Sequence, residues 1–160
     1  PRRRYYGEPP QCAEAGPEVA MTVSARVLNR PDSHDVTVST HGRARSLTIP
    51  PKNGERGSDV NGGELLFLAL ATCYCNDICR EAANLGIDVY EVDVEVVGDF
   101  GGIGEPPTNV RYHVRIVADA PEREIRALMM HTDTVAEIQN TLRERVPVRL
   151  GHCEAISVTR

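Results

Sequence analysis

The sequence predicts an α+β fold in which antiparallel sheets surround one long central helix. Several segments alternate apolar and polar residues with period two, which is typical of strands with one buried and one wet face. The segment 63–85 lacks this alternation, and its first half is apolar nearly all round, which indicates a helix surrounded by protein. Strands and helices also follow one another in blocks, and this order favours an α+β fold over an α/β fold.

Three strands are predicted before the helix. In the first, "MTVSARVLN" (21–29), the alternation places four apolar residues on one face: Met21, Val23, Ala25 and Val27. The next segment, "RPDSH" (30–34), is predicted to be a turn because Pro31 fixes φ and the polar residues after it can bond to nearby backbone. The segments "DVTVSTHG" and "RARSLTIP" follow as two more strands, and the Gly- and Pro-rich residues 50–63 are predicted to form an irregular loop.

The central helix is predicted from about Gly63 to Leu85. Gly86 follows it directly and suits a left-handed C-cap. At 1.5 Å per residue the helix is roughly 33 Å long, which is the width of a small domain. We therefore expect it to organise the rest of the fold.

Two strands, two helices and a last strand are predicted after the central helix. The strands, around "EVDVEVVGDF" and "VRYHVRIVA", alternate Val and Ile with charged residues and are joined by a long hairpin loop. One helix is predicted to start near Pro121, with Asp119 and Glu122 at capping-box spacing. A second is predicted to start near Thr134, with Glu137 three residues on. The segment 154–160 is predicted to be the last strand.

Composition narrows the class of protein. At 160 residues the chain fits one domain, predicted over 21–160, after a flexible arm over 1–20 that carries four prolines. The net charge of −5 argues against a nucleic-acid partner. No apolar stretch reaches the roughly 18 residues of a membrane span, and no apolar region follows the arginines at residues 2–4, so neither membrane insertion nor a secretory signal is expected. The odd number of cysteines, three of the five in one cluster, does not resemble an extracellular disulfide framework and favours a reducing compartment, hence the cytoplasm.

Three of the five cysteines lie within seven residues of the central helix: Cys73, Cys75 and Cys79. Residues two apart on a helix point about 200° away from each other, so Cys73 and Cys75 can neither form a disulfide nor bind one metal ion together. Cys75 and Cys79 are four apart and share a face, but a disulfide there would strain the helix. The cluster is therefore not one site.

Three interpretations of these cysteines remain open. Structural zinc needs four ligands, and Cys75 and Cys79 would have to be joined by distant residues such as His131, His152 or Cys153, so no metal or cofactor is expected. Free cysteines often pack as small apolar residues, and this is favoured for Cys75 and Cys79. A reactive thiol needs a cation nearby. The helix offers none within four residues of Cys73, and Asp77 would oppose ionisation, so an activating Arg must come from elsewhere.

The segment "NGGELLFLALATCYC" resembles the central-helix motif of the OsmC/Ohr family of osmotically inducible and organic hydroperoxide resistance proteins. The resemblance continues through "GIDVYEVDVEVVGDF", the two-strand hairpin and "VAEIQNTLRERVPVRL", and it covers about residues 20–160. It implies an OsmC-like fold and an intertwined homodimer with active sites where the two subunits meet.

The resemblance also implies a function. It suggests a thiol peroxidase whose reactive cysteine reduces a small organic hydroperoxide, becomes a sulfenic acid and is restored by a thiol reductant. By position, Cys73 is the reactive cysteine. Its activating arginine corresponds to Arg30 in the turn after the first strand, and Arg43 and Arg45 are the alternatives.

Two positions depart from the family pattern. The acidic partner of the arginine would fall at Gly63, and Glu64 follows it; Glu64 is the candidate for that role, although it could instead serve the helix N-terminus. The usual second cysteine would align with Ala136, so the resolving thiol must be Cys75, Cys79, Cys153, Cys12 or an external thiol. The alternative functions are a non-enzymatic dimer that binds a small apolar ligand between its subunits and, with Cys75 and Cys79, a zinc-binding protein.

Overall fold

The computed structural model describes residues 21–31, 33–53, 57–145, 148–149 and 152. They belong to two compact units, one ending at Asp59 and the other beginning at Val60. The predicted arm over 1–20 and the predicted last strand over 154–160 lie outside the described residues, and a single domain over 21–160 stays a prediction. The described elements comprise antiparallel sheets and helices, so the predicted α+β class is confirmed.

The first unit contains a three-stranded antiparallel sheet. Its strands are β1 (Val23–Arg30), β2 (Ser33–Thr40) and β3 (Arg43–Leu47), in the order β1-β2-β3. The predicted turn over 30–34 is too long, because Arg30 and Ser33 already pair across the two strands. His41 and Gly42 join β2 to β3, and both have positive φ, as a tight hairpin turn requires.

The apolar face predicted for the first strand is exposed to solvent. Val23 and Val27 are each 60% exposed, and Met21 before the strand is 66% exposed. In this unit the buried apolar side chain is Val36 of β2, which pairs with Val27 of β1. The period-two pattern therefore places Val23 and Val27 on one face of the strand, but it does not predict that this face is exposed.

The second unit begins with the long helix α1, Gly62–Leu85. Its N-cap is Asn61, whose side chain accepts hydrogen bonds from the backbone of Gly63 and Glu64, at 2.8 and 3.0 Å. The Glu64 side chain accepts from the backbone N–H of Asn61 at 2.7 Å, which completes a capping box. At the other end Gly86 has φ of 68°, which confirms the predicted left-handed C-cap.

A long hairpin packs against α1. Its strands are β4 (Asp88–Asp99) and β5 (Thr108–Asp119), which pair antiparallel and place Val92 opposite Ile116 and Val94 opposite Val114. Alternate residues of both strands are partly buried, as predicted. The buried core of this unit consists of residues from α1, α2 and the segment after it: Tyr74, Ile78, Ala82, Leu128 and Ala136.

The last two described helices are α2 (Glu122–Val135) and α3 (Glu137–Arg143). The predicted capping box at Asp119 is wrong, because Pro121 is the N-cap and no side chain caps the helix. The predicted helix start near Thr134 is also wrong, since Thr134 lies inside α2 and its hydroxyl donates to the carbonyl of His131 at 2.7 Å. The helical segment is interrupted instead at Ala136, which is fully buried and has an extended backbone. In the described part of the chain, no helix has both the length and the apolar character needed to cross a membrane.

Candidate active site around Cys73

Cys73 lies near the middle of α1, on the face that meets the start of α3. Its side chain is half-buried. Leu70, three residues before it in α1, and Asp77, four residues after it, are buried. The Gln139 side-chain amide of α3 donates to the carbonyl of Leu70 at 3.0 Å, and the backbone N–H of Ile138 hydrogen-bonds the Cys73 sulfur. The first turn of α3 is thereby held against the thiol.

Two carboxylates face the Cys73 sulfur. Its Sγ lies 3.4 Å from Oδ2 of Asp77, one turn further along α1, and 3.7 Å from Oε2 of Glu137, the first residue of α3. Carboxylates are acceptors, so the thiol donates its single proton to one of them. Asp77 is only 3% exposed, whereas Glu137 is exposed, so the Asp77 contact is the better shielded from water.

Arg80 neutralises these carboxylates rather than contacting the sulfur. Its Nη1 lies 2.7 Å from Oδ1 of Asp77 and 3.9 Å from Oε1 of Glu137. Its Nε donates to Glu81 at 2.9 Å, and Glu81 also contacts His131 of α2 at 3.2 Å. A line of charged groups therefore runs from the thiol to the surface.

This environment keeps Cys73 protonated. Burial raises the pKa of its thiol, as do the hydrogen bond to Asp77 and the charges of Asp77 and Glu137, while the N–H of Ile138 lowers it. Burial also raises the pKa of Asp77, against the lowering by Cys73 and Arg80. These effects favour the thiol over the thiolate, in agreement with the predicted opposition of Asp77 to ionisation.

The same three side chains could hold a metal ion. One ligand atom each of Cys73, Asp77 and Glu137 lies within 4.8 Å of the other two. A closed zinc site would need a fourth ligand. Arg80 already supplies a positive charge to both carboxylates, so a divalent ion would have to displace its guanidinium. The arrangement therefore suits a proton-transferring thiol better than a metal centre.

The predicted activating arginines lie in the first unit. Arg30 ends β1, and its Nη1 lies 3.2 Å from Oδ2 of Asp35, with both side chains exposed. Arg43 and Arg45 lie on β3. That one of these three contacts Cys73 stays a prediction.

Glu64 and Gly63 lie in the first turn of α1. The Glu64 carboxylate is engaged in the capping box described above, and a part for it in catalysis stays a prediction. Gly63 is crowded: a Cβ at this position would lie 2.8 Å from the ring of Phe100. The acidic side chain that the family resemblance places at this position would therefore require Phe100 to move.

The other cysteines of the helix lie apart from Cys73. Cys75 hydrogen-bonds Cys79 and borders a groove beside Val92 and Val94, and burial raises the pKa of the Cys75 thiol, with a further rise from Cys79. Cys79 is exposed, so the packing interpretation is wrong for it within this chain. Cys12 and Cys153, the other candidate resolving thiols, lie outside the described residues.

Two residues of the site, Arg80 and Glu137, are not predicted from the sequence. Cys73, Asp77 and Arg80 have the spacing i, i+4, i+7, which places them on one helix face, and this pattern could have revealed Arg80. Glu137 is far from Cys73 in the sequence. Its only signal is that it follows Ala136, where the family resemblance places a second cysteine.

The chain resembles known proteins in both sequence and fold. A profile of the family described as OsmC-like protein matches residues 55–151. The structure of an OsmC-like protein from Mycoplasma pneumoniae aligns with a TM-score of 0.57 and 19% identity, covering 79% of this chain and 89% of that chain. An OsmC-like hydroperoxide resistance protein from Jannaschia sp. aligns with a TM-score of 0.47 and 17% identity, covering 88% and 97% of the two chains. Comparison with curated proteins gave no match.

The Mycoplasma likeness, at its low identity, shows the fold, and the sequence profile shows the family. The profile match extends over more than half of the chain and includes the whole of α1 with Cys73, as well as the hairpin and both later helices. The chain therefore belongs to the OsmC-like protein family.

Proposed function

We propose that the protein is a thiol-dependent reductase of small organic hydroperoxides that acts through Cys73. The observation that carries the proposal is the half-buried Cys73 thiol with a carboxylate 3.4 Å from its sulfur, which supplies a nucleophile and a proton acceptor together. Membership of the OsmC-like family supports it, because Cys73 lies where the resemblance places the reactive cysteine.

The proposed reaction has two stages. The Cys73 sulfur attacks the terminal oxygen of the hydroperoxide, the O–O bond breaks, and an alcohol and a Cys73 sulfenic acid form. An external thiol then forms a mixed disulfide with loss of water, and a second thiol releases the reduced enzyme. An external thiol is proposed for this step because Cys75 and Cys79, the other described cysteines, share a different face of α1, while Cys12 and Cys153 stay alternative candidates.

The assembly and the compartment belong to the same proposal. A homodimer would cover the apolar side chains that the chain leaves exposed on β1 and α1, among them Val27 and Leu68. Such a dimer could also bring Arg30, or Arg43 or Arg45, to the sulfur, with Glu64 as the partner of that arginine. A reducing cytoplasm suits a protein whose described cysteines are all free thiols.

The test is turnover of cumene hydroperoxide by the purified protein with a dithiol reductant. We expect Cys73→Ser to abolish turnover and Thr72→Ser, an exposed neighbour on α1, to leave it unchanged. A sulfenic acid at Cys73, trapped by dimedone and located by mass spectrometry, is expected in the wild-type protein. Absence of both turnover and the trapped adduct would contradict the proposal.

A second candidate is a non-enzymatic dimer that binds a small apolar ligand. The raised pKa of Cys73 favours it, because the neutral thiol is a poor nucleophile. This function predicts that hydroperoxide and alkylating reagents leave Cys73 unmodified in the folded protein. Modification of Cys73 at a rate equal to or above that of the exposed Cys79 would exclude it.

A further inference from the structure

We propose that Asp77 is a catalytic proton acceptor and donor: it takes the proton of the Cys73 thiol during attack and returns it to the leaving alkoxide. This inference rests on the proposed function and adds a residue to it. It assigns the activation of the sulfur to a carboxylate within the same helix.

The two oxygens of Asp77 have different tasks in this geometry. Oδ1 is bound by Arg80 at 2.7 Å, which fixes the orientation of the carboxylate. Oδ2 is left to face the sulfur at 3.4 Å, and the side chain is almost wholly buried. A carboxylate held by one oxygen and directed at a thiol with the other has the arrangement of a general base oriented by a third group.

The surrounding groups support proton transfer rather than a preformed thiolate. Among the described side chains, those within hydrogen-bonding distance of the sulfur are the carboxyl groups of Asp77 and Glu137, whose charges oppose loss of the proton from sulfur. Burial raises the pKa of Asp77, which makes its carboxylate a stronger base than an exposed one. Arg80 acts as a positioning residue because it holds Asp77 without touching the sulfur.

The S–H bond of Cys73 breaks and its proton goes to Oδ2 of Asp77, while the sulfur electron pair forms an S–O bond to the terminal hydroxyl oxygen of the hydroperoxide. The O–O bond breaks, and its electron pair leaves on the alkoxide, which takes the proton back from Asp77. The sulfur is oxidised by two electrons to the sulfenic acid, the peroxide is reduced to an alcohol, and Asp77 ends as it began.

The decisive variant is Asp77→Asn, because the two possible effects of Asp77 have opposite signs. If Asp77 is the base, the rate of sulfenic acid formation at neutral pH falls by about a hundredfold, and the deficit shrinks as the pH rises and the thiolate forms without help. If Asp77 acts only as a negative charge, its removal lowers the pKa of Cys73, and the variant reacts as fast as the wild type or faster. That second result would overturn the proposal.

Matched variants separate chemistry from folding. Asp88→Asn, an exposed carboxyl at the start of β4, is expected to react like the wild type. Asp77→Glu keeps a carboxylate and is expected to recover part of the rate that Asp77→Asn loses. If Asp77→Asn does not fold, the wild-type protein still gives an answer: transfer of a proton during attack makes the reaction slower in D₂O, whereas attack by a preformed thiolate does not slow.

Alkylation by iodoacetamide distinguishes failure of this proposal from failure of the proposed function. It probes the same proton removal from Cys73 without any hydroperoxide. If iodoacetamide modifies Cys73 more slowly in Asp77→Asn than in the wild type, but the wild type does not reduce cumene hydroperoxide, the role of Asp77 as a base is supported and the proposed function is contradicted. If the wild type reduces cumene hydroperoxide, but iodoacetamide modifies Cys73 equally fast in the wild type and in Asp77→Asn, the proposed function is supported and the role of Asp77 as a base is contradicted.

Discussion

At the scale of single residues, Asp133 links three elements of the second unit. Its Oδ1 accepts a hydrogen bond from the hydroxyl of Tyr112 on β5 and lies 2.6 Å from Nη2 of Arg143 on α3. Arg143 also donates to the backbone carbonyl of Asp133 at 2.9 Å. The Tyr112 hydroxyl lowers the pKa of Asp133, and Arg143 lowers it further, against the effect of burial. The ionised carboxylate therefore stabilises the folded chain.

This gives a prediction with a definite pH dependence. A carboxyl whose pKa is lower in the folded state adds stability above its unfolded pKa, near 3.9, and loses it as the pH falls through the folded pKa. We expect Asp133→Asn to reduce the free energy of unfolding by about 1 kcal/mol at neutral pH, a modest figure because the side chain is partly exposed. Urea unfolding of both proteins over a pH series should show the difference shrinking in acid.

The control for this series is Asp93→Asn, which removes an exposed carboxyl of β4. It should leave the stability almost unchanged at every pH. A difference between wild type and Asp133→Asn that persists undiminished in acid would mean that the Asp133 side chain acts by packing and not by charge.

At the scale of elements, α1 carries the site, and its ends are fixed locally. The Asn61 side chain satisfies two backbone donors of the first turn, and Glu64 satisfies the backbone donor of Asn61. Gly86 closes the other end in the left-handed conformation that glycine adopts without strain. These caps determine where the helix starts and ends, and the i, i+4, i+7 spacing places Cys73, Asp77 and Arg80 on one face of it.

The cap gives a second prediction. Asn61→Ala removes the acceptor of two backbone N–H groups and is expected to reduce the free energy of unfolding by about 1 kcal/mol. Asn76→Ala, at an exposed position in the middle of α1, is the matched control and should be neutral or slightly stabilising because alanine favours helices. Thermal unfolding followed by circular dichroism measures both. Equal midpoints for the two variants would contradict the importance of the cap.

At the scale of the whole molecule, each of the two units leaves apolar side chains exposed. Val23 and Val27 on β1 and Leu68 on α1 are each about 60% exposed. Apolar side chains grouped on one strand face are typical of contact surfaces. A second copy of the chain is the proposed partner. The face of β1 that carries Val23 and Val27 is apolar, whereas the opposite face mixes Ser24 and Arg26 with Leu28.

The dimer proposal predicts the effect of a charge on this face. Val27→Glu would place a carboxylate in the covered surface and is expected to shift the protein from two chains to one in sedimentation equilibrium. Ser24→Glu, on the opposite face of the same strand, is expected to leave the mass unchanged. Either a wild-type protein with the mass of one chain or a Val27→Glu variant that remains a dimer would contradict the proposal.

The sequence by itself determined the features that depend on local backbone chemistry. The period-two strands, the long apolar helix, its glycine C-cap and the separation of Cys73 from Cys75 all follow from spacing between near neighbours in the chain. The start of the second late helix did not follow. Thr134 has the features of a cap residue, but its hydroxyl donates to the carbonyl of His131 inside α2. The buried Ala136 separates α2 from α3 instead.

Only the tertiary structure decided the chemistry around Cys73. Glu137, which is distant in sequence, approaches the sulfur because Gln139 anchors α3 to the backbone of α1, and the guanidinium of Arg80 lies at the carboxylates and not at the thiol. Charge and burial act through space, so the protonation of a thiol depends on neighbours that the order of residues does not specify. The sequence placed Cys73 and Asp77 on one face of α1, and the packing of α3 on α1 added the second carboxylate, Glu137.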